Sequence, residues 1–142
     1  MRLSTFVAAA TLAAAPSLAM AGTATLTLTR GSLTNVSDAA GTWQIEGGQV
    51  FNGRTQIGDY ACTRRTVSIG AGGTSPQNTA MLTCTLFLSG ARPPENVTFQ
   101  GAHDFNGGGY IGSVSAASGA YSFLRGGTIS GNSGAGTVTL TW

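Results

Sequence analysis

The chain has 142 residues, of which 42% are hydrophobic and only 8% charged, with 22 glycines and a formal net charge of +2. There is no lysine, and the cations are scattered arginines, so nothing resembles a basic stripe for nucleic acid or a polybasic patch for a membrane surface. One histidine and two cysteines cannot assemble a usual zinc set, which argues against a structural metal.

Residues 1–21 read as a targeting segment. Arg2 supplies a short positive region, Phe6–Leu12 is a largely apolar run that continues through Ala15, and Ala19-Met20-Ala21 is a small-x-small cleavage site. The run is too short and too rich in alanine to span a membrane as a helix. The expected mature chain starts at Gly22, forms one domain over residues 22–142, and is periplasmic or secreted in a bacterium.

From Gly22 onward no helical period of useful length occurs, and about eight short strands separated by turns are expected. Thr23–Arg30 alternates cleanly between apolar and polar residues. Residues 31–41 are polar and read as a loop, and Thr42–Glu46 is a short strand with Trp43 and Ile45 on one face. Ile57–Ile69 and Asn78–Ser89 form a long hairpin. A turn centred on Gly73 sets Cys62 opposite Cys84, and an oxidising compartment permits their disulfide. In the second of these strands Leu82, Cys84, Leu86 and Leu88 share one face and Met81 and Phe87 the other, so both faces are expected to be covered, the second by another copy of the chain.

After the Pro93-Pro94 break comes Asn96–Ala102, followed by His103-Asp104 in a loop. Tyr110–Ala116 and Tyr121–Ser130 read as a hairpin turning at Gly119, where positive φ is expected. Ala135–Trp142 is the last strand, with Val138, Leu140 and Trp142 on one face. An outer-membrane barrel is disfavoured because aromatic residues are too few for two girdles, so no membrane insertion is expected.

Two glycine-rich segments resemble the allene oxide cyclase/dirigent barrel superfamily. Gly119, Tyr121, Arg125 and Gly126 match the spacing of that family's signature hairpin, although Ala116-Ala117-Ser118 replaces its Gly-Gly-Thr step. Gly53-Arg54-Thr55-Gln56-Ile57-Gly58-Asp59-Tyr60 is similar to its Gly-Arg-Ala-Gln-Gly-aromatic strand start, with Ile57 as an extra residue. The resemblance implies an all-β, antiparallel barrel of about eight strands, with room for packed side chains or one small ligand. It also implies a hydrophobic small molecule as partner, steered through cyclisation or coupling without a metal or organic cofactor, and a homotrimer.

Arg125 matches the family arginine that contributes to the substrate pocket, and on a strand it would share a face with Tyr121 and Phe123. Arg64 and Arg65 are adjacent, so one faces the barrel interior and the other solvent, and the sequence does not say which. Asp59 and Tyr60 could reach a barrel mouth as a carboxylate–phenol pair for acid/base work. The family's acidic pocket residues have no clear counterpart; Asp59, Asp104 and Glu46 are the candidates. No nucleophile-elbow pattern accompanies His103. The rival reading is a non-catalytic binding or surface protein built on the same barrel.

Overall fold

The structure is a computed structural model that describes residues 21–38, 41–66, 79–88, 95–104 and 107–142. Residues 1–20 of the expected targeting segment (1–21), the turn about Gly73 and the Pro93-Pro94 break lie outside the described residues. Eight strands follow in order: β1 (Thr23–Asp38), β2 (Gly41–Asn52), β3 (Thr55–Thr66), β4 (Thr79–Leu88), β5 (Glu95–Asp104), β6 (Gly109–Ala117), β7 (Thr128–Asn132) and β8 (Thr137–Thr141). A 3-10 helix, Gly119–Leu124, stands between β6 and β7. Each strand pairs antiparallel with the next, and β8 returns to β1 with Thr23 opposite Thr141, so the sheet closes into the expected eight-stranded barrel.

The period of two decides what lies inside. Along β3, Gly58, Tyr60, Cys62 and Arg64 are buried, while Asp59 and Ala61 are exposed. The same alternation on the other strands fills the interior with Leu26, Val50, Leu86, Leu88, Val97, Phe99, Val114, Ile129, Val138 and Leu140. Each such side chain contributes roughly 1.5–3 kcal/mol by leaving water. Outward-facing threonines pair across strands instead, as Thr25 does with Thr139 at 2.9 Å and Thr85 with Thr98 at 3.0 Å.

The β3–β4 register places Cys62 opposite Cys84, as expected, and the two are joined by a disulfide. Met81 and Phe87 point away from the barrel and are exposed.

Three expectations fail. The first hairpin is longer than expected: Leu33 pairs with Glu46, Val36 with Trp43 and Asp38 with Gly41, where a loop and a short strand were read. The cause is that this hairpin carries exposed residues on both faces, Leu33 and Val36 among them, so it shows no amphipathic alternation. Its register shifts between Arg30 and Ser32, at Gly31.

The segment read as the strand Tyr121–Ser130 is instead the 3-10 helix followed by the short β7. Gly119 and Gly126, with φ of 58° and 82°, bracket it with left-handed backbone that a strand does not use. Between them the 3-10 period brings Tyr121 and Leu124 round to the core together. Third, His103 and Asp104 are the last residues of β5 and not a loop, with His103 opposite Tyr110.

The 3-10 helix closes one end of the barrel. Leu124 is buried beneath it, Tyr121 and Phe123 pack on the core, and Phe123 meets Trp142 edge-on at 5.2 Å between ring centroids. At the other end, bordered by the turn between β7 and β8, no described residue covers the interior in this way.

Candidate functional site

Inside the open end the apolar interior gives way to charge. Glu46 from β2 is almost completely buried. Its Oε2 forms ion pairs with Arg64 Nη2 of β3 at 2.9 Å and with Arg30 Nη2 of β1 at 3.1 Å. Its Oε1 accepts the Tyr60 hydroxyl at 2.7 Å. Three side chains from the two strands flanking β2 therefore converge on one carboxylate. The Arg64 side chain is 8% exposed and that of Arg30 47%, so one guanidinium is interior and the other is at the rim.

Local sequence explains the convergence. The bulge at Gly31 sets Arg30 opposite Gly48 and Leu33 opposite Glu46. Tyr60 lies opposite Gly48 and Tyr110 opposite Gly131. Both rings lie over the bare glycine: a Cβ on Gly48 would sit 2.9 Å from a Tyr60 ring carbon, and one on Gly131 would sit 2.3 Å from Tyr110 Cζ. Glycine thus makes the space in which each tyrosine folds into the interior. The Tyr110 hydroxyl donates to the Thr137 carbonyl.

Burial and then the bond to Glu46 raise the Tyr60 pKa far above its ordinary value. Burial pushes Tyr110 up to about 12. Both phenols keep their protons at neutral pH, and each donates its proton to a protein acceptor. His103, buried, lies 3.0 Å through Nε2 from Ser133 Oγ. Burial, and secondarily the charge of Arg64, lowers its pKa, so the ring is held neutral.

These groups surround a cavity of about 610 Å³. Its polar wall is Arg30, Glu46, Arg64, Tyr60 and Tyr110; its apolar wall is Leu28, Leu82 and the Cys62–Cys84 disulfide; the β7–β8 turn, residues 132–136, borders it. The size falls within the range of small-molecule sites, and so does the mixture of apolar wall with a few polar groups. Among the described residues no three of His, Cys, Asp and Glu group so as to hold a metal ion.

The expected ligand-binding residues separate into two sets. Tyr60 and Arg64 line the cavity, and Arg64 is the inward member of its pair. Arg65 lies outside, with its guanidinium 4.8 Å from the centre of the Trp43 ring. Asp59 is exposed and accepts a hydrogen bond from Gln56 at 3.4 Å. Tyr121, Phe123 and Arg125 belong to the closed end, not to the cavity wall. Arg125 is exposed and donates to the Ala117 carbonyl at 3.2 Å.

Arg30 and Tyr110 are cavity residues that sequence reasoning did not single out. The signal for Tyr110 was a tyrosine beside three consecutive glycines. Arg30 gave none, because its orientation depends on the bulge that follows it.

No family model matches the chain, and no curated protein does. Among solved structures, pyocyanin demethylase aligns with a TM-score of 0.68 at 12% identity, covering 84% of this chain and 98% of that one. At that identity the likeness is one of fold: both chains are eight-stranded antiparallel barrels of the same broad kind.

Proposed function

We propose that this protein is an exported barrel that binds a small, mostly apolar molecule in its open-ended cavity. The observation that carries the reading is the cavity itself: about 610 Å³, lined by leucines and a disulfide together with one charged cluster. The fold neighbour's name gives it a small molecule, pyocyanin, to act on. Export is supported by the leader-like residues 1–21 and by the disulfide, which an oxidising compartment sustains. N-terminal sequencing of the exported protein should begin at Gly22.

Titration with neutral naphthalene-sized fluorophores tests the cavity. Wild type should bind them, and Leu82→Trp, which fills the apolar wall, should not. Equal binding by both proteins would place the ligand elsewhere, and no binding by either would remove the reading.

The finer proposal is that the bound molecule is steered through cyclisation or coupling, as the resemblance to allene oxide cyclase/dirigent barrels implies. Shape and the fixed Tyr60–Glu46–Arg64 cluster would do the steering. Phenol coupling driven by an external one-electron oxidant should then give an excess of one enantiomer with the protein and a racemate without it. Racemic product in both cases leaves the rival, a non-catalytic binding barrel.

Self-association through the outer face is the matching proposal for partners. Val36, Trp43, Arg65, Met81, Ala102 and Ile111 follow one another across six strands, and Met81 and Ile111 are 67% and 69% exposed. Light scattering should return the mass of a trimer; a monomer would refute it.

A further inference from the structure

We infer that the cavity takes an organic monoanion, with an apolar body and one carboxylate or equivalent group held by Arg64. This rests on the cavity being a binding site and goes on to name what that site selects. The charged cavity groups are two arginines and one glutamate, a formal excess of one positive charge. Glu46 is shared between both guanidiniums and cannot neutralise them together. The excess positive charge sits at the rim on half-exposed Arg30, beside the buried Arg64–Glu46 pair, so the cavity as a whole favours an anion.

The hydrogen-bond inventory points the same way. Arg64 is 7% exposed, and its Nε, fully buried, has no acceptor. A guanidinium presents several N–H donors in a fixed fork that matches a carboxylate. The two tyrosine hydroxyls on the same wall have given their protons to Glu46 and to the Thr137 carbonyl. They can accept from a ligand, but they have no proton left to donate to an anion.

Beside these charged groups the lining includes Leu28, Leu82 and the disulfide, apolar surface that suits a hydrocarbon body. Arg30, half exposed at the rim, adds positive potential where a ligand enters.

The test compares two probes of one shape, 2-naphthoate and 2-naphthamide, titrated against the purified protein. Naphthoate should bind about ten- to a hundredfold more tightly, the effect of one charged hydrogen bond. Arg64→Gln should erase that preference while still binding the amide. Glu46→Gln, which removes the competing carboxylate, should raise the ratio of naphthoate to naphthamide affinity above that of wild type. If Arg64→Gln does not fold, Glu46→Gln alone decides. Equal affinity of wild type for both probes, or a Glu46→Gln variant that favours naphthoate no more than wild type does, overturns the inference and leaves the cavity standing. Failure of wild type to bind either probe at millimolar concentration overturns both.

Discussion

The two ends of this barrel solve the same problem in opposite ways. At the closed end, a 3-10 helix drops Leu124 into the interior and the space is filled by leucine, valine and phenylalanine. At the open end no helix caps the strands among the described residues, and the interior holds Glu46, Arg64, Tyr60 and Tyr110 around a cavity. One end is filled to stabilise the fold, while the other keeps buried charge that adds little stability, because desolvation offsets most of the pairing. The contrast teaches that the closed end carries the stability of the barrel and the charged end little of it.

The comparison can be broken from the closed side first. Leu124 is buried at the closed end, away from the cavity lining, so Leu124→Ala should cost about 2–5 kcal/mol in denaturant unfolding. Affinity for a cavity ligand, measured under conditions where the variant is folded, should be unchanged. A loss of ligand affinity equal to that of an open-end variant would mean that the two ends are not separable.

The disulfide sits at the boundary between the ends. Cys62→Ala/Cys84→Ala should lose about 3 kcal/mol, the loop-closure effect for a separation of 22 residues. Unfolding in the presence and absence of a reducing dithiol reads this directly. The wild-type curve in reductant should fall onto that of the double variant.

At the open end, Gly131→Ala places a Cβ 2.2 Å from the Thr137 carbonyl oxygen and against the Tyr110 ring. Overpacking of this kind should cost about 1–3 kcal/mol. Because it displaces a cavity residue, ligand affinity should fall too, and a change in stability alone would show that Tyr110 is not part of the binding wall.

The smallest effect is the pH dependence. Burial depresses the His103 pKa below its usual 6.5, with Arg64 adding to the shift and Asp104 and Glu46 opposing it. As pH falls through 6.5 the unfolded chain takes up the proton before the folded one, so stability is full above that pH and declines below it. Tyr110 has the opposite sign. Its pKa is raised from 10.0 to about 12, so its contribution is full below pH 10 and is lost as pH rises toward 12. Wild type should melt at a lower temperature at pH 5 than at pH 7.5. His103→Gln should show a flatter acid limb, and identical acid limbs would remove the histidine from the account.

The parts legible in the sequence are those where one face of a strand is dry and the other wet. Thr23–Arg30 and Ala135–Trp142 alternate because β1 and β8 each cover the core with one face. The Cys62–Cys84 pairing followed from hairpin arithmetic alone. The outer half of the β1–β2 hairpin was illegible because both of its faces carry exposed residues. Tyr121–Arg125 was misread because five residues with aromatics at alternate positions fit a strand as well as a 3-10 turn, and only the closure of the barrel end decides between them.

Of the site, Arg64 and Tyr60 could be found because they sit on a strand of strict period. Arg30 could not, since the bulge at Gly31 alters the register just where its direction is set. Glu46 was visible as one of very few acids, but its three partners come from strands whose pairing no local pattern reveals.

The seam between the first and last strands has a consequence for the order of assembly. Thr25 and Thr139 meet across 114 residues, and Gly22 and Trp142 exchange two backbone hydrogen bonds at 2.8 and 3.0 Å. Seven of the strand pairings are between neighbours in the chain, whereas this one joins strands from opposite ends of the sequence. A chain still missing its last few residues therefore has two open edges and no enclosed interior. Ring closure waits until Thr137–Thr141 is available, which makes folding a late and comparatively slow event.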